Sequence, residues 1–202
     1  NVVFFGGMAN SIYNSLLRGN KIKIPNIPDF DVLSRNPEQT AENVKSELEN
    51  MNIHNVSIVK YKALKEEKDF IEDEVISPHY EVKIGLETVL FVYKPLACHS
   101  YNEIIVNDRG IKIASIDTML SFYLSFLYTN KDYYDSERLL CMCEILLKLQ
   151  YNRVKQKLNL KGIFKRFDIP CFGKQKTLED IKIERDKKFN ALKKNSEEYE
   201  YL

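Results

Sequence analysis

No stretch of the 202-residue chain approaches the roughly 18 consecutive apolar residues a bilayer-spanning helix needs. There is also no basic segment followed by an apolar run and a small-residue cleavage site. A soluble, non-secreted protein with no membrane partner is therefore expected. Cysteine is scarce: Cys98, Cys141, Cys143 and Cys171 show no C-x-x-C pairing, and Cys141 and Cys143 lie two apart in a leucine-rich helical pattern, so reduced thiols are expected. Internal repeats and low-complexity tracts are missing. So is an excess of charge of one sign, because 30 Lys and Arg stand against 29 Asp and Glu, a net +1 that exerts no global pull on nucleic acid.

The charge that is present is unevenly spread. Seven basic residues (Arg153, Lys155, Lys157, Lys161, Lys165, Arg166, Lys174) fall between Tyr151 and Lys174 against the single acid Asp168. Interleaved with Phe164, Phe167 and Phe172, this run suits either an RNA backbone with some base stacking, Lys161, Lys165 and Arg166 being its centre, or a solvated helix face with its aromatics inward. Six acids between Glu66 and Glu74 read as a solvated loop.

Along the chain, "VVFF" at 2–5 has strand composition and ends in Gly6-Gly7, after which Ile12, Tyr13, Leu16 and Leu17 share one helical face up to Arg18-Gly19-Asn20. Asp29 to Leu33 is a second strand candidate. Asn36-Pro37 opens a helix with Ala41, Val44, Leu48 and Met51 inward. The segments "VSIVKY", "HYEVKI", "TVLFVY", "EIIV" and "IKIA" read as strands, with turns near Gly85 and at Asn107-Asp108-Arg109-Gly110. From an N-cap at Ser115 the pattern becomes helical, and Thr177 caps a last, highly charged helix. This order predicts a mixed α/β unit over 1–114, a helical unit over 115–175 and a charged C-terminal helix over 176–202. The chain enters an apolar run at Asn1 and stops just after "EEYEY", so it is expected to be a segment of something longer.

Two features exceed the needs of a core. Alternate residues of a strand share a face, so Asp29 and Asp31 project together while Phe30 and Val32 turn inward. Their carboxylates then lie about 6 to 7 Å apart, from a rise of about 3.3 Å per residue. Such a pair repels itself unless it serves hard divalent cations, which take a few carboxylate oxygens and keep the rest of their shell for water and phosphate. At Gly6-Gly7 the chain lacks Cβ atoms where a helix begins, so backbone N–H groups and the positive end of the helix dipole can approach a polyphosphate.

A strand ending in Gly-Gly, a helix, and then a strand bearing D-x-D resembles the nucleotidyltransferase superfamily. More narrowly, "FFGGMANSIY", "IPDFDVLSRNP", "SPHYEVKIG", "YKPLACHSYN", "IDTMLSFYLSFLY", "YYDSERLLCM" and "CFGKQKTLED" resemble the poly(A) polymerase catalytic-subunit family of large nucleocytoplasmic DNA viruses, over most of Phe4 to Asp180. The resemblance implies an α+β fold, a nucleotidyltransferase-like mixed sheet with flanking helices followed by a helical domain. It implies that Gly6, Gly7 and Asn10 meet the nucleotide, that Asp29 and Asp31 hold Mg²⁺ or Mn²⁺, and that an RNA 3′-hydroxyl attacks the α-phosphate of ATP and releases pyrophosphate. A third carboxylate is expected on a later strand. In "TVLFVY" its position holds Phe91, which leaves Glu81 and Glu87, of which Glu81 is preferred as catalytic and metal-binding residue because Tyr80 and Val82 flank it as a strand requires. Homodimerisation or further domains of the same chain, and a location in the host cytoplasm (viral factory) or the virion, follow from the same resemblance. A degenerate module serving RNA binding or dimerisation, and a transferase acting on protein or tRNA, are the alternatives.

Among the remaining residues, His54, His79 and His99 lie at no ligand spacing and read as surface or core histidines. Tyr133, Tyr134 and Asp135 open a helix and suit packing better than contact with a base or ribose.

Overall fold

A computed structural model describes residues 1–18, 29–68, 71–106, 108–129, 131, 134–155 and 170–191. Its centre is a mixed sheet of eight strands: β1 (Val3–Phe5), β2 (Phe30–Leu33), β3 (Val56–Tyr61), β6 (His79–Ile84), β7 (Glu87–Tyr93), β8 (His99–Val106), β9 (Arg109–Ala114) and β10 (Cys171–Phe172). The spatial order is β10-β8-β9-β1-β2-β7-β6-β3, with β1 parallel to β9, β2 parallel to β7 and the other pairs antiparallel. β4 (Leu64–Lys68) and β5 (Ile71–Ile76) form a separate hairpin, so the acidic stretch expected as a loop is two paired strands. Five helices complete the chain's described part: α1 (Gly6–Leu17), α2 (Pro37–Asn50), α3 (Ile116–Thr129), α4 (Ser136–Lys155) and α5 (Leu178–Ala191).

The strands sit where alternation places them, and their turns follow local chemistry. Gly85 at φ +62 lies in the tight β6–β7 connection, and Asp108 at φ +59 in the connection after Val106, which pairs with Arg109. Positive φ at these places is what two-residue hairpin turns require. Ser115 caps α3 by accepting from the Thr118 N–H at 3.3 Å, and Thr177 and Asp180 exchange hydrogen bonds at the start of α5. Asn36 makes no side-chain cap at α2; Pro37 opens that helix and the Asn36 N–H donates to Ser34 Oγ at 3.1 Å.

Each face of the sheet packs a different layer. On one, Val32, Tyr80, Val82, Leu90 and Val92 meet Ala41, Val44 and Leu48 of α2, whereas Met51, expected inward, is exposed at the end of that helix. On the other, α1, α3 and α4 join β1, β8 and β9 in one cluster that includes Phe5, Ile12, Tyr13, Met119, Tyr123 and Leu146. This core runs across residue 114 without a break, and β10 brings residues from beyond α4 back to the sheet edge. The boundary expected between an α/β unit and a helical unit therefore falls inside a shared core.

Tyr13 fixes α1 to the sheet. Its hydroxyl donates to the Ala114 carbonyl at 2.5 Å and accepts from Asn102 Nδ2 at 3.1 Å. The thiol expectation is corrected at the sheet edge: pairing of β10 with β8 brings Cys98 beside Cys171, 73 residues away, as a disulfide pair with Cα atoms 5.3 Å apart. Sequence spacing holds no trace of that pairing. Cys141 and Cys143 are free thiols. No helix among the described residues is long and apolar enough to cross a membrane.

Truncating Leu146 tests the shared core. Leu146 of α4 is fully buried in the same cluster as Phe5 of β1. Leu146→Ala should cost about 2–5 kcal/mol and shift one cooperative urea transition, followed by far-UV dichroism and tyrosine fluorescence together. A separate early transition of the helices would indicate an independent helical unit.

Candidate active site

β1 runs antiparallel to β2 with Phe5 opposite Asp31, so the residue after Phe5 is delivered to the Asp31 side chain. Gly6 occupies that place at φ +60, and a Cβ there would collide with the Asp31 carboxylate. Only glycine meets both conditions. α1 begins at this point, and the Gly7 N–H donates a hydrogen bond to Asp31. The first turn of α1 thus starts against β2 at Asp31, with Asp29 just ahead of that strand.

These residues open into a cavity of about 700 Å³, lined by Gly6, Gly7, Asp29, Asp31 and Glu81 together with residues of β3, α3 and α4. Gly6, Gly7, Asp29, Asp31 and Glu81, separated by up to 75 positions in the chain, therefore share one hollow. Asp31 is partly buried. Its carboxyl is pushed up to about 7, by burial first and by the adjacent Asp29 charge second, while the Arg138 guanidinium and the Gly7 N–H pull it back down. Arg138 stands in the first turn of α4, which Asp135 caps by accepting from the Arg138 N–H at 3.0 Å. A Cβ on Gly7 would sit 3.9 Å from that guanidinium, so Arg138 overhangs the glycine turn. The buried Tyr123 hydroxyl, without a hydrogen-bond partner, also lines the cavity, and burial and the Asp31 charge hold it strongly protonated.

Glu81 stands apart from the aspartates. Phe91 of β7 lies between them in register, opposite Asp31 on one side and opposite Glu81 on the other. Two strand spacings of about 4.8 Å separate the two backbones by about 10 Å. Glu81 Oε2 is engaged by Lys83 Nζ at 3.1 Å and by the Thr88 hydroxyl at 3.0 Å. Among the described residues no group of three acidic, His or Cys side chains is gathered for a metal ion, so Glu81 does not complete a three-carboxylate cluster with Asp29 and Asp31. Glu87, the other alternative, is exposed at the start of β7 and is not part of the cavity lining.

Asn10, grouped with the glycines by the sequence, is 7% exposed and is not part of the cavity lining; its Oδ1 has no hydrogen-bond partner. Lys161, Lys165, Arg166 and Tyr133 lie outside the described residues. His54 is exposed and His99 packs at a tilt against Phe122 with ring centroids 5.2 Å apart, whereas His79, expected as a surface or core histidine, lines the cavity. Tyr134 and Asp135 line it as well, and Tyr134 stacks on Phe126 at 4.7 Å. The site residues the sequence reading missed are Arg138, Tyr61, His79 and Lys83. For two of them a signal existed, because His79 and Lys83 share the Glu81 face of "HYEVKI" by strand alternation. Arg138 reaches the site only by the packing of α4 on α1.

The donor set suits one hard cation. Asp29, just ahead of β2, and Asp31 both supply oxygen donors to the cavity, and the burial and like charge that raise Asp31 are what a divalent ion relieves. Mg²⁺ needs only one or two carboxylates when water and phosphate fill the remaining positions.

No known family profile matches the chain, and no curated protein does. Among solved structures, it is similar to the Megavirus polyadenylate synthase, with a TM-score of 0.66 and 15% identity over 91% of this chain. The chain spans 37% of that protein's length. Looser likenesses are to the antibiotic-resistance factor ANT(2″)-Ia (TM-score 0.42, 13% identity, 77% of this chain, 81% of that one) and to a nucleotidyltransferase-like protein from Paracoccidioides brasiliensis (0.40, 15%, 78% and 80%). At 15% identity the likeness to the polyadenylate synthase is one of fold alone.

Two measurements follow from this geometry. Gly6→Ala should destabilise the chain by about 1–3 kcal/mol in urea melts, and combining it with Asp31→Ala should return part of the loss, since the collision is with the Asp31 side chain. The folded chain keeps the Asp31 proton up to about pH 7, whereas a free aspartate loses it near 3.8. Between these values the folded state binds the extra proton, so metal-free stability should fall as pH rises from about 4 to 7. Asp31→Asn should flatten that decline in thermal melts, and Mn²⁺ binding to the wild type should strengthen as pH passes through 7.

Proposed function

We propose that this chain carries a nucleotidyltransferase centre that adds AMP from ATP to an RNA 3′ end, as part of a viral polyadenylation enzyme acting in the host cytoplasm or the virion. The observation that supports it best is the junction of Gly6 with Asp31: a helix start stripped of Cβ atoms lies directly against one of two carboxylates that share a cavity. Other readings of the glycine turn leave the paired acids unexplained.

In this reading the N–H groups of the first turn of α1 donate to the triphosphate oxygens, and Arg138 neutralises its outer charge. Asp29 and Asp31 would hold Mg²⁺ or Mn²⁺, which would supply Lewis-acid polarisation of the α-phosphate and activation of the attacking hydroxyl. The new bond joins the 3′-oxygen to the α-phosphorus, the bond to the bridging oxygen breaks, and pyrophosphate departs toward α1 as the hydroxyl proton is released.

One observation favours a second reading, a transferase-like module without catalysis that serves RNA binding or dimerisation. Phe91 holds the strand position beside Asp31, and the acid one strand further along that row, Glu81, is already paired with Lys83. Labelled ATP, Mn²⁺ and a short oligoadenylate distinguish the two. Transfer by the wild type with loss of at least about 100-fold in Asp31→Asn, a variant of matched shape, is the expected result. Equal labelling by both, or none by the wild type, rejects the enzymatic reading.

A further inference from the structure

Beyond β7 the cavity has a second wall. His79, Glu81 and Lys83 project from β6 and Tyr61 from the end of β3, all lining the same hollow as Asp31 but on the side of Phe91 away from the glycine turn. The Tyr61 and His79 rings are nearly parallel, 6° apart with centroids at 4.9 Å, and His79 stacks in turn near Tyr93 at 4.7 Å. Tyr61 ends the stack and is 38% exposed. Glu81 is 8% exposed and has its Thr88 and Lys83 partners on Oε2.

We propose that this wall, formed by Tyr61, His79, Glu81 and Lys83, is the acceptor subsite and takes the 3′-terminal nucleotide of a single-stranded nucleic acid, with Glu81 accepting from its ribose hydroxyl rather than from a metal. The inference rests on the transferase reading above and adds to it the place of the second substrate. Phosphoryl transfer keeps the attacking and leaving oxygens roughly in line. With the leaving pyrophosphate directed to α1 and Arg138, the attacking hydroxyl has to enter from the opposite side of Asp31, and that side is β7, β6 and β3. An aromatic step open at one end suits a nucleobase of any sequence. Lys83 adds a cation for the preceding phosphate, and Phe91 lies under the sugar. A small polyol would leave the stacked rings unused.

The test measures binding apart from chemistry. A 5′-labelled oligoadenylate of ten residues is titrated by fluorescence anisotropy into the wild-type chain, Tyr61→Leu and Lys83→Gln, and Mn²⁺ with a non-hydrolysable ATP analogue is titrated into the same proteins. Each substitution should weaken oligonucleotide binding by about 10-fold or more and leave analogue binding within about twofold. Unchanged oligonucleotide binding in folded Lys83→Gln and Tyr61→Leu overturns the proposal, as does a loss confined to the analogue, which would make the wall a site for the incoming base. Glu81→Gln should keep Mn²⁺ binding, read by electron paramagnetic resonance, where Asp31→Asn loses it. Loss in Glu81→Gln would make Glu81 a metal ligand and overturn its assigned role. If the oligonucleotide results hold while the wild type transfers no label, the subsite stands and the transferase reading falls.

Discussion

The site depends on one contact, the seat of the Asp31 carboxylate against the Cα of Gly6. It exists because β1 and β2 pair antiparallel with Phe5 opposite Asp31, which carries the end of one strand to the middle of its neighbour. Any side chain at position 6 would push the acid away from the start of α1. The contact also sets the electrostatics, since it places Asp31 beneath a helix N-terminus and beside Asp29, in a desolvated corner where the charged form is disfavoured. A partly buried acid whose pKa is raised by desolvation first and by a like charge second is poised to take a divalent cation. It would be a liability in a purely structural sheet.

Around that contact the sheet works as a ruler. From the glycine turn, the row crosses Asp31, Phe91 and Glu81 on successive strands, each about 4.8 Å from the last. Phosphate-binding donors lie at one end and aromatic and ionic groups at the other, with the acid pair between them. The helices close the hollow from above: α4 brings Arg138 over Gly7, and α3 brings Tyr123 and Phe126. They can do so because their apolar faces share a core with β1 and α1, so the helical part of the chain is a structural member of the site.

The local elements were readable because they obey short-range rules. "VSIVKY" and "HYEVKI" became β3 and β6 with the bounds the alternation suggests, Ser115 and Thr177 cap the helices they precede, and the turns at Gly85 and Asp108 adopt the positive φ their residues tolerate. The acidic stretch misled because six carboxylates outweighed a β-compatible pattern that only a paired partner reveals. Glu81 misled for a related reason. Its alternation with Tyr80 and Val82 correctly predicted a strand and a face, but which strand lies between it and Asp31 is a fact of topology.

The sequence by itself determined that Asp31 projects from the strand face opposite Phe30 and Val32 and that a Cβ-free turn opens a helix, because a strand repeats every two residues and glycine alone lacks a side chain. Tertiary structure decided that the turn lies against Asp31, that Phe91 separates Asp31 from Glu81, that Arg138 overlooks the phosphate side, and that Cys98 meets Cys171. Those are relations between segments tens of residues apart, set by strand order, register and the burial of shared apolar faces, and no local pattern encodes them.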